Sequence, residues 1–365
     1  MPTGVPLSTL IPFPGAPSVS TEYRLFSGPG LVDTIRIGAF LFGNQETDWR
    51  IYSDDGSVDY TPTELSANSF LQTGTGYWLI KKGNLNIPTY IMSMPPLDST
   101  ASFGIQLHSG WNIIGDPFDE SIPWQAVLAA NNLPPATAIF GYTGSYAQSF
   151  SLAPFQGYYY FNSSNSDLLK MPYPFGSSRI SSATSPQVSW ELQLSTESDI
   201  NTDAGNYIGI APTATTGANQ FNMHKPPLFQ DQSFLYFPRP EWDKVYSRYS
   251  SDIRQSLNQG QVWTFEVVNP RKSKNTIRVN GIENVPTGME IMLIDRLNSS
   301  PVDLRKNTSY QYQTISPKMQ FEIVVGTNEY VTQQIKSLIP KTFELEQNYP
   351  NPFNLSTAIG VQLPH

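Results

Sequence analysis

The sequence predicts a mainly β protein: two tandem β-rich repeat units followed by an antiparallel β-sandwich. Composition points there first. Aromatic residues make up 13% of the chain, charged residues only 14%, and 25 Gly with 31 Pro punctuate it, which is the profile of short strands joined by turns. Apolar and polar residues also alternate over short windows, as in Gln261-Val262-Trp263-Thr264-Phe265-Glu266-Val267. Finally, landmark strands recur at a spacing of roughly 80–90 residues, the signature of an internal repeat.

The 365 residues allow two or three domains of about 100–200 residues each. The aromatic content opposes disorder. A net charge of −8 and a pI near 4.9 lack the basic footprint that nucleic-acid binding requires. There is no cysteine, so disulfides, thiolate catalysis and Cys-ligated metals are excluded. No run of about 18 apolar residues occurs, so no membrane-spanning helix is expected.

Residues 1–20 are rich in Pro, Ser and Gly and read as an extended linker. Repeat unit 1 covers 21–100. It opens at Tyr23-Arg24-Leu25-Phe26-Ser27 and carries strands at Trp49–Tyr52 and Gly76–Ile80, with Asp54-Asp55-Gly56-Ser57 as a hairpin turn between them. Repeat unit 2 covers 101–178 and opens at Gly110-Trp111-Asn112-Ile113-Ile114-Gly115-Asp116-Pro117-Phe118. Its closing strand Gly157-Tyr158-Tyr159-Tyr160-Phe161 echoes Gly76-Tyr77-Trp78-Leu79-Ile80. The offset is 111 − 23 = 88 residues at the openings and 157 − 76 = 81 at the closing strands. Between these landmarks, Ile122–Ala130 reads as a short helix with Pro123 in its first turn and Trp124, Val127 and Leu128 on one face.

The segment 171–187 reads as a linker, and the sandwich follows over 187–327. Eight strands are expected there: 188–194, 207–210, 233–237, 261–268, 276–279, 290–294, 310–314 and 319–325, with Asn280-Gly281 and Thr287-Gly288 as turns. In the strand 261–268, alternation puts Trp263, Phe265 and Val267 toward the core. A linker with one or two helical turns at Val331–Leu338 leads into the stub that completes 328–365. The stub's two X-Pro steps, Tyr349-Pro350 and Asn351-Pro352, exclude a helix. Alternating Ile359, Val361 and Leu363 then suggest a strand over 357–363.

That stub carries a resemblance. Leu345 through Asn354, with Gln347, Asn348, Tyr349, Pro350, Asn351, Pro352, Phe353 and Asn354 in order, resembles the opening of the type A C-terminal sorting domain. This domain is found on cargo proteins of the type IX (Por) secretion system of Bacteroidetes-like bacteria. Leu355 stands where that family usually has Pro. Two upstream regions are similar to modules that precede such signals. One comprises the openings Tyr23 to Ser27 and Gly110 to Phe118, with Ile113 for Leu and Asp116 for Asn. The other comprises Trp190-Glu191-Leu192, Pro226-Pro227, Leu235-Tyr236-Phe237 and Val302-Asp303-Leu304-Arg305. The resemblance implies a secreted or cell-surface protein that engages the type IX machinery through its C-terminal signal. It also implies no catalytic residues. Met1-Pro2-Thr3-Gly4-Val5-Pro6 lacks the basic and apolar regions of a signal peptide, so the chain is expected to lack sequence at both ends.

No constellation for chemistry emerges, and the expectation is a non-enzymatic protein. His108, His224 and His365 are far apart in sequence and read as surface histidines. Asp54, Asp55 and Asp59 read as solvated turn acids rather than a glycosidase pair. The one candidate metal site is calcium at Asp199, Asn201 and Asp203, where hard oxygens alternate. It departs from an EF-hand because Gly205 is one residue late and Ile210 stands where the bidentate Glu belongs, and a polar turn explains the run equally well. No other cofactor is implied.

The aromatic strand has two readings. Tyr158, Tyr159 and Tyr160 are core packing residues, or one alternating set is a glycan-stacking face. The functional expectation is therefore a stalk, adhesive or accessory region. The alternatives are a carbohydrate-binding module that takes surface polysaccharide, and a subunit joined to neighbouring subunits by strand pairing.

Overall fold

The computed structural model of the chain describes residues 4–11, 20–39, 41–54, 62–83, 85–164, 166–174, 187–227, 232–256 and 259–338, and the short segments 344–345, 349–354, 356–358 and 361–362. For residues 4–11, 20, 86–92, 338 and those from 344 onward, the description is of the backbone alone. The protein is mainly β, with several antiparallel sheets and two short α-helices among the described residues. No helix among them is long and apolar enough to cross a membrane.

The two repeats form four-stranded sheets of the same strand order. In the first, Arg24–Ser27 pairs with Gly76–Lys81, then Trp49–Ser53, then Thr63–Glu64. In the second, the order is Gly110–Gly115, Gly157–Asn162, Ile139–Tyr142 and Tyr146–Ser149. The registers correspond residue by residue: Leu25 faces Trp78 and Ser27 faces Gly76, while Ile113 faces Tyr159 and Gly115 faces Gly157.

The sheets meet about a local two-fold relation. The Ser27 N–H donates to Phe155 O at 3.3 Å, and its counterpart Gly115 N–H donates to Gly74 O at 2.8 Å. The two accepting residues are themselves equivalent and both left-handed, Gly74 at φ 78° and Phe155 at φ 66°. Glycine is required where the strands cross, because a Cβ on Gly76 would lie 3.2 Å from the Cα of Gly157 and closer still to Ile113.

Each sheet is covered on both faces. Between them lie Tyr23, Leu25, Tyr52, Trp78 and Ile80 from the first and Trp111, Ile113, Phe140, Tyr142, Tyr146 and Tyr159 from the second. The first sheet's outer residues Phe26, Ile51, Tyr77 and Leu79 pack under Ile37, Leu41 and Leu71 of its own loops. On the second, Ile114, Ile139, Tyr158 and Tyr160 pack under Phe118, Leu169, Met171 and the helix residues Trp124, Val127 and Leu128. Coverage on both faces explains why these strands read as unbroken apolar runs. The helix itself is Trp124–Ala130; Ile122–Pro123 pairs as a short strand, and Pro123 precedes the first turn rather than lying in it. The strand Leu168–Pro172 pairs with Ser102–Gln106, so Met171 and Pro172 belong to unit 2 and not to a linker.

The sandwich holds all eight expected strands, several extended by one to five residues, and adds three that pattern did not reveal. One sheet runs Ser251–Arg254, Thr202–Ile210, Trp190–Glu197, Lys274–Asn280 and Ser309–Gln313. The other runs Arg248–Tyr249, Phe234–Pro238, Gly260–Val268, Lys318–Gly326, Glu290–Asp295 and Ser300–Asp303. Trp263, Phe265 and Val267 point inward as alternation requires, meeting Leu192, Leu194, Ile208, Ile277, Leu293, Phe321 and Ile323. The sandwich is not wholly antiparallel. Ser251–Arg254 runs parallel to Tyr207–Ile210, so one short segment contributes an edge strand to each sheet and crosses between them at Ser250.

Two further expectations change. Residues 4–11, expected as linker, form a strand against Leu85–Ser93. The C-terminal helix begins at Asn328, with Thr327 Oγ1 accepting the Tyr330 N–H at 3.3 Å, and it lays Val331 and Ile335 over Ile294 and Val324 on the outer sheet face. In the stub, Ser356–Ala358 pairs with Tyr349–Asn354, and Val361–Gln362 pairs with Glu344–Leu345; of the strand expected over 357–363, residues 359, 360 and 363 lie outside the described residues. The turn acids Asp55 and Asp59 lie outside the described residues.

Candidate functional site at the seam between the repeats and the sandwich

The tyrosines considered for sugar stacking are corrected first. Tyr158, Tyr159 and Tyr160 are all at most 3% exposed. Their alternation is as expected, but both faces of the strand are interior. Tyr158 Oη accepts the Ala153 N–H at 3.1 Å and donates to Gln156 Oε1 at 3.0 Å. Tyr159 Oη accepts from Trp78 Nε1–H at 3.1 Å. Tyr160 meets Trp124 edge to face at 5.7 Å, and burial pushes its hydroxyl up to about 12. None of the three rings presents a face to a ligand.

Two of the three candidate calcium ligands are held by other groups of the chain. Asp199 is exposed on its turn. Asn201 bridges to Ser233, its Oδ1 accepting the Ser233 N–H at 2.8 Å and its Nδ2 donating to Ser233 O at 2.9 Å. Asp203 accepts from Lys225 Nζ with both oxygens, at 2.7 and 2.8 Å, and its Oδ2 also accepts the Leu235 N–H at 2.8 Å. Lys225 donates further to Asn206 Oδ1 at 2.7 Å and lies 5.0 Å from the Phe234 ring centre. Burial pushes the Lys225 ammonium below its ordinary value, against the pull of Asp203. A cation of the chain itself thus takes Asp203, one of the three residues that suggested calcium. Lys225 was missed because a lone Lys between His224 and Pro226 gives no periodic signal.

Lys225 belongs to the segment that docks the sandwich on the second repeat. Its neighbour His224, expected at the surface, is instead half-buried between two rings. It stacks on Phe161 of the repeat at 3.8 Å and lies tilted against Tyr249 of the sandwich at 4.3 Å, with Nε2 3.6 Å from Asp243 Oδ2. Burial holds its imidazole down at about 4, so the ring is neutral at physiological pH, with Asp243 pulling the other way. Tyr246 meets Phe161 edge to face at 5.0 Å and covers Gly110, where any Cβ would overlap its hydroxyl. Tyr146 donates to Pro227 O at 2.7 Å, and Gln232 donates to the Tyr142 hydroxyl at 2.6 Å.

Behind this seam lies a second charged group. Asp252, fully buried, accepts from Arg239 Nε at 3.0 Å and from its terminal nitrogen, and from Arg254 Nε at 2.8 Å. The Asp252 carbonyl accepts from Trp263 Nε1–H at 2.9 Å. Such an arrangement fixes the relative placement of strands and rings. It offers no nucleophile paired with a base to an open cleft.

Of the sorting motif, Gln347 and Asn348 lie outside the described residues, and Tyr349, Pro350, Asn351, Pro352, Phe353 and Asn354 are described as backbone only, in one strand. No family model matches the chain, and neither a curated protein nor a solved structure matches it.

Proposed function

We propose that this chain is a non-catalytic structural region of a secreted or cell-surface protein, a stalk or accessory segment that ends in a type IX secretion sorting signal. The structural half of this reading is carried by one observation. The three tyrosines that looked available for sugar stacking are all buried, Tyr158 and Tyr160 packed within the second repeat and Tyr159 joined to Trp78 of the first, while Phe161, His224 and Tyr249 join repeat to sandwich. The export half is supported by the Leu345–Asn354 run alone.

Two experiments test these halves separately. The full chain is expected to show no saturable binding across a glycan array and a panel of insoluble polysaccharides; specific binding would replace the stalk by a carbohydrate-binding module. For export, the chain is placed behind an inner-membrane export leader in a host with type IX machinery. It is expected in the medium or on the surface, and retention is expected after Tyr349→Ala with Asn354→Ala. Equal export of that variant would remove the sorting role.

A further inference from the structure

We propose that Lys225 and Asn206 become joined by an amide bond between their side chains, formed by the protein itself, with Asp203 carrying the proton and one ammonia released. The proposal goes beyond the stalk reading and does not depend on it. Its basis is the geometry of three side chains. Lys225 Nζ lies 2.7 Å from Asn206 Oδ1 and 2.7 and 2.8 Å from the two Asp203 oxygens. All three residues are almost sealed from water, Lys225 at 3%, Asp203 at 5% and Asn206 at 0% exposure.

A local irregularity creates this convergence. Asp203 and Asn206 are on one strand, three residues apart, and strict alternation would put them on opposite faces. The strand's register shifts there: Asn206 faces Leu194 and Asp203 faces Thr196, so Ala204 and Gly205 together oppose Ser195. This bulge turns both side chains toward Lys225, the kind of re-aiming for which extra residues in a ladder serve.

The chemistry balances without any co-reactant. In this buried site desolvation disfavours the Lys225 ammonium, which gives a proton to Asp203 and becomes a neutral amine. The amine lone pair attacks Cγ of Asn206, forming the new C–N bond. The tetrahedral centre collapses as the C–Nδ2 bond breaks. One proton from the attacking nitrogen and the proton held by Asp203 pass between the groups, so that Nδ2 leaves as ammonia, the new amide keeps one hydrogen, and Asp203 returns as carboxylate once a proton leaves with ammonia as ammonium. Asn206 is the acyl partner rather than Asp203, because a carboxamide carbon, though a weak electrophile, is a better one than a carboxylate carbon, and Asp203 is engaged in carrying the proton. Asp203 is held as base by the Leu235 N–H at 2.8 Å. The leaving nitrogen is oriented by Leu194 O at 3.3 Å and Asp203 O at 3.4 Å.

The test is the intact mass of the full, folded chain after incubation at neutral pH, measured under denaturing conditions, followed by proteolysis. The expected mass is below the sequence mass by one ammonia, with a branched peptide linking the segments that contain Asn206 and Lys225. Lys225→Arg and Asp203→Ala are expected to retain the full sequence mass. Three results would overturn the proposal: a folded wild-type chain at full mass, loss of water with a branch at Asp203, or loss of ammonia without a branch. The wild-type measurement decides even if both variants fail to fold.

Discussion

The repeat pair and the sandwich are both β structures with buried polar groups, yet they hold together by different means. Between the repeats the polar groups are neutral and shared by rings, as in Trp78 Nε1–H to Tyr159 Oη. The sandwich instead buries charge, in Asp252 with Arg239 and Arg254. Neutral pairs cost little desolvation and tolerate loss of one partner moderately. A buried ion is expensive unless every partner is present, so it commits the chain to one arrangement and makes that arrangement intolerant of change.

This contrast leads to four measurements. Asp252→Ala leaves two arginines around a site with no carboxylate, and equilibrium denaturation is expected to show a loss of about 3–5 kcal/mol. Trp78→Ala removes a fully buried ring from the core between the repeats. It is expected to cost a similar 3–5 kcal/mol, but through a cavity, so that Trp78→Phe recovers most of it. No isosteric apolar residue should recover Asp252→Ala in the same way. Equal rescue at both positions would erase the distinction.

Asp116 is the exception on the repeat side. It is fully buried, its Oδ1 accepts the Phe118 N–H at 2.8 Å, and its Oδ2 has no hydrogen-bond partner among the described residues. Burial pushes its carboxyl up to about 8, so the folded protein holds a proton that the unfolded chain releases near pH 4. Stability from this group is therefore full below about pH 4 and is lost as pH rises toward 8. Asp116→Asn keeps the acceptor and removes the titration, and is expected to raise stability by roughly 2–4 kcal/mol at pH 7. The gain should shrink to nothing near pH 4. A gain that is constant with pH would refute this account.

His224 shows the opposite sign. Its folded value is held at about 4, below the unfolded value near 6.5, so its contribution is complete above about 6.5 and is lost as pH falls toward 4. His224→Phe should keep the stack between Phe161 and Tyr249 and remove this acid loss. The expected difference from wild type grows to about 1–2 kcal/mol at pH 5. Parallel pH profiles would show that His224 does not titrate on unfolding.

Much of the architecture was legible from pattern. Alternation located the eight longer sandwich strands and the inward set Trp263, Phe265 and Val267, and the Gly-Tyr-Trp and Gly-Tyr-Tyr strands marked equivalent places in two units. The segment from Arg248 to Arg254 was not legible, because its two short strands carry charged residues whose partners lie in two different sheets. The same limit applies to the candidate sites. Asp199, Asn201 and Asp203 form an oxygen-rich run, but a lysine 22 residues beyond Asp203 determines what that aspartate binds.

By itself, the sequence determined the β class, the repeat, the absence of thiol chemistry and the acidic surface, since these follow from composition and from periodicities of a few residues. Tertiary structure decided which faces are covered and which polar groups meet. Period-2 alternation assigns Tyr158 and Tyr160 to one side and Tyr159 to the other, yet it cannot say that helix and neighbouring sheet close over both. Burial and charge pairing depend on contacts between residues distant in the chain, and those contacts exist only once the two sheets and the sandwich have packed together.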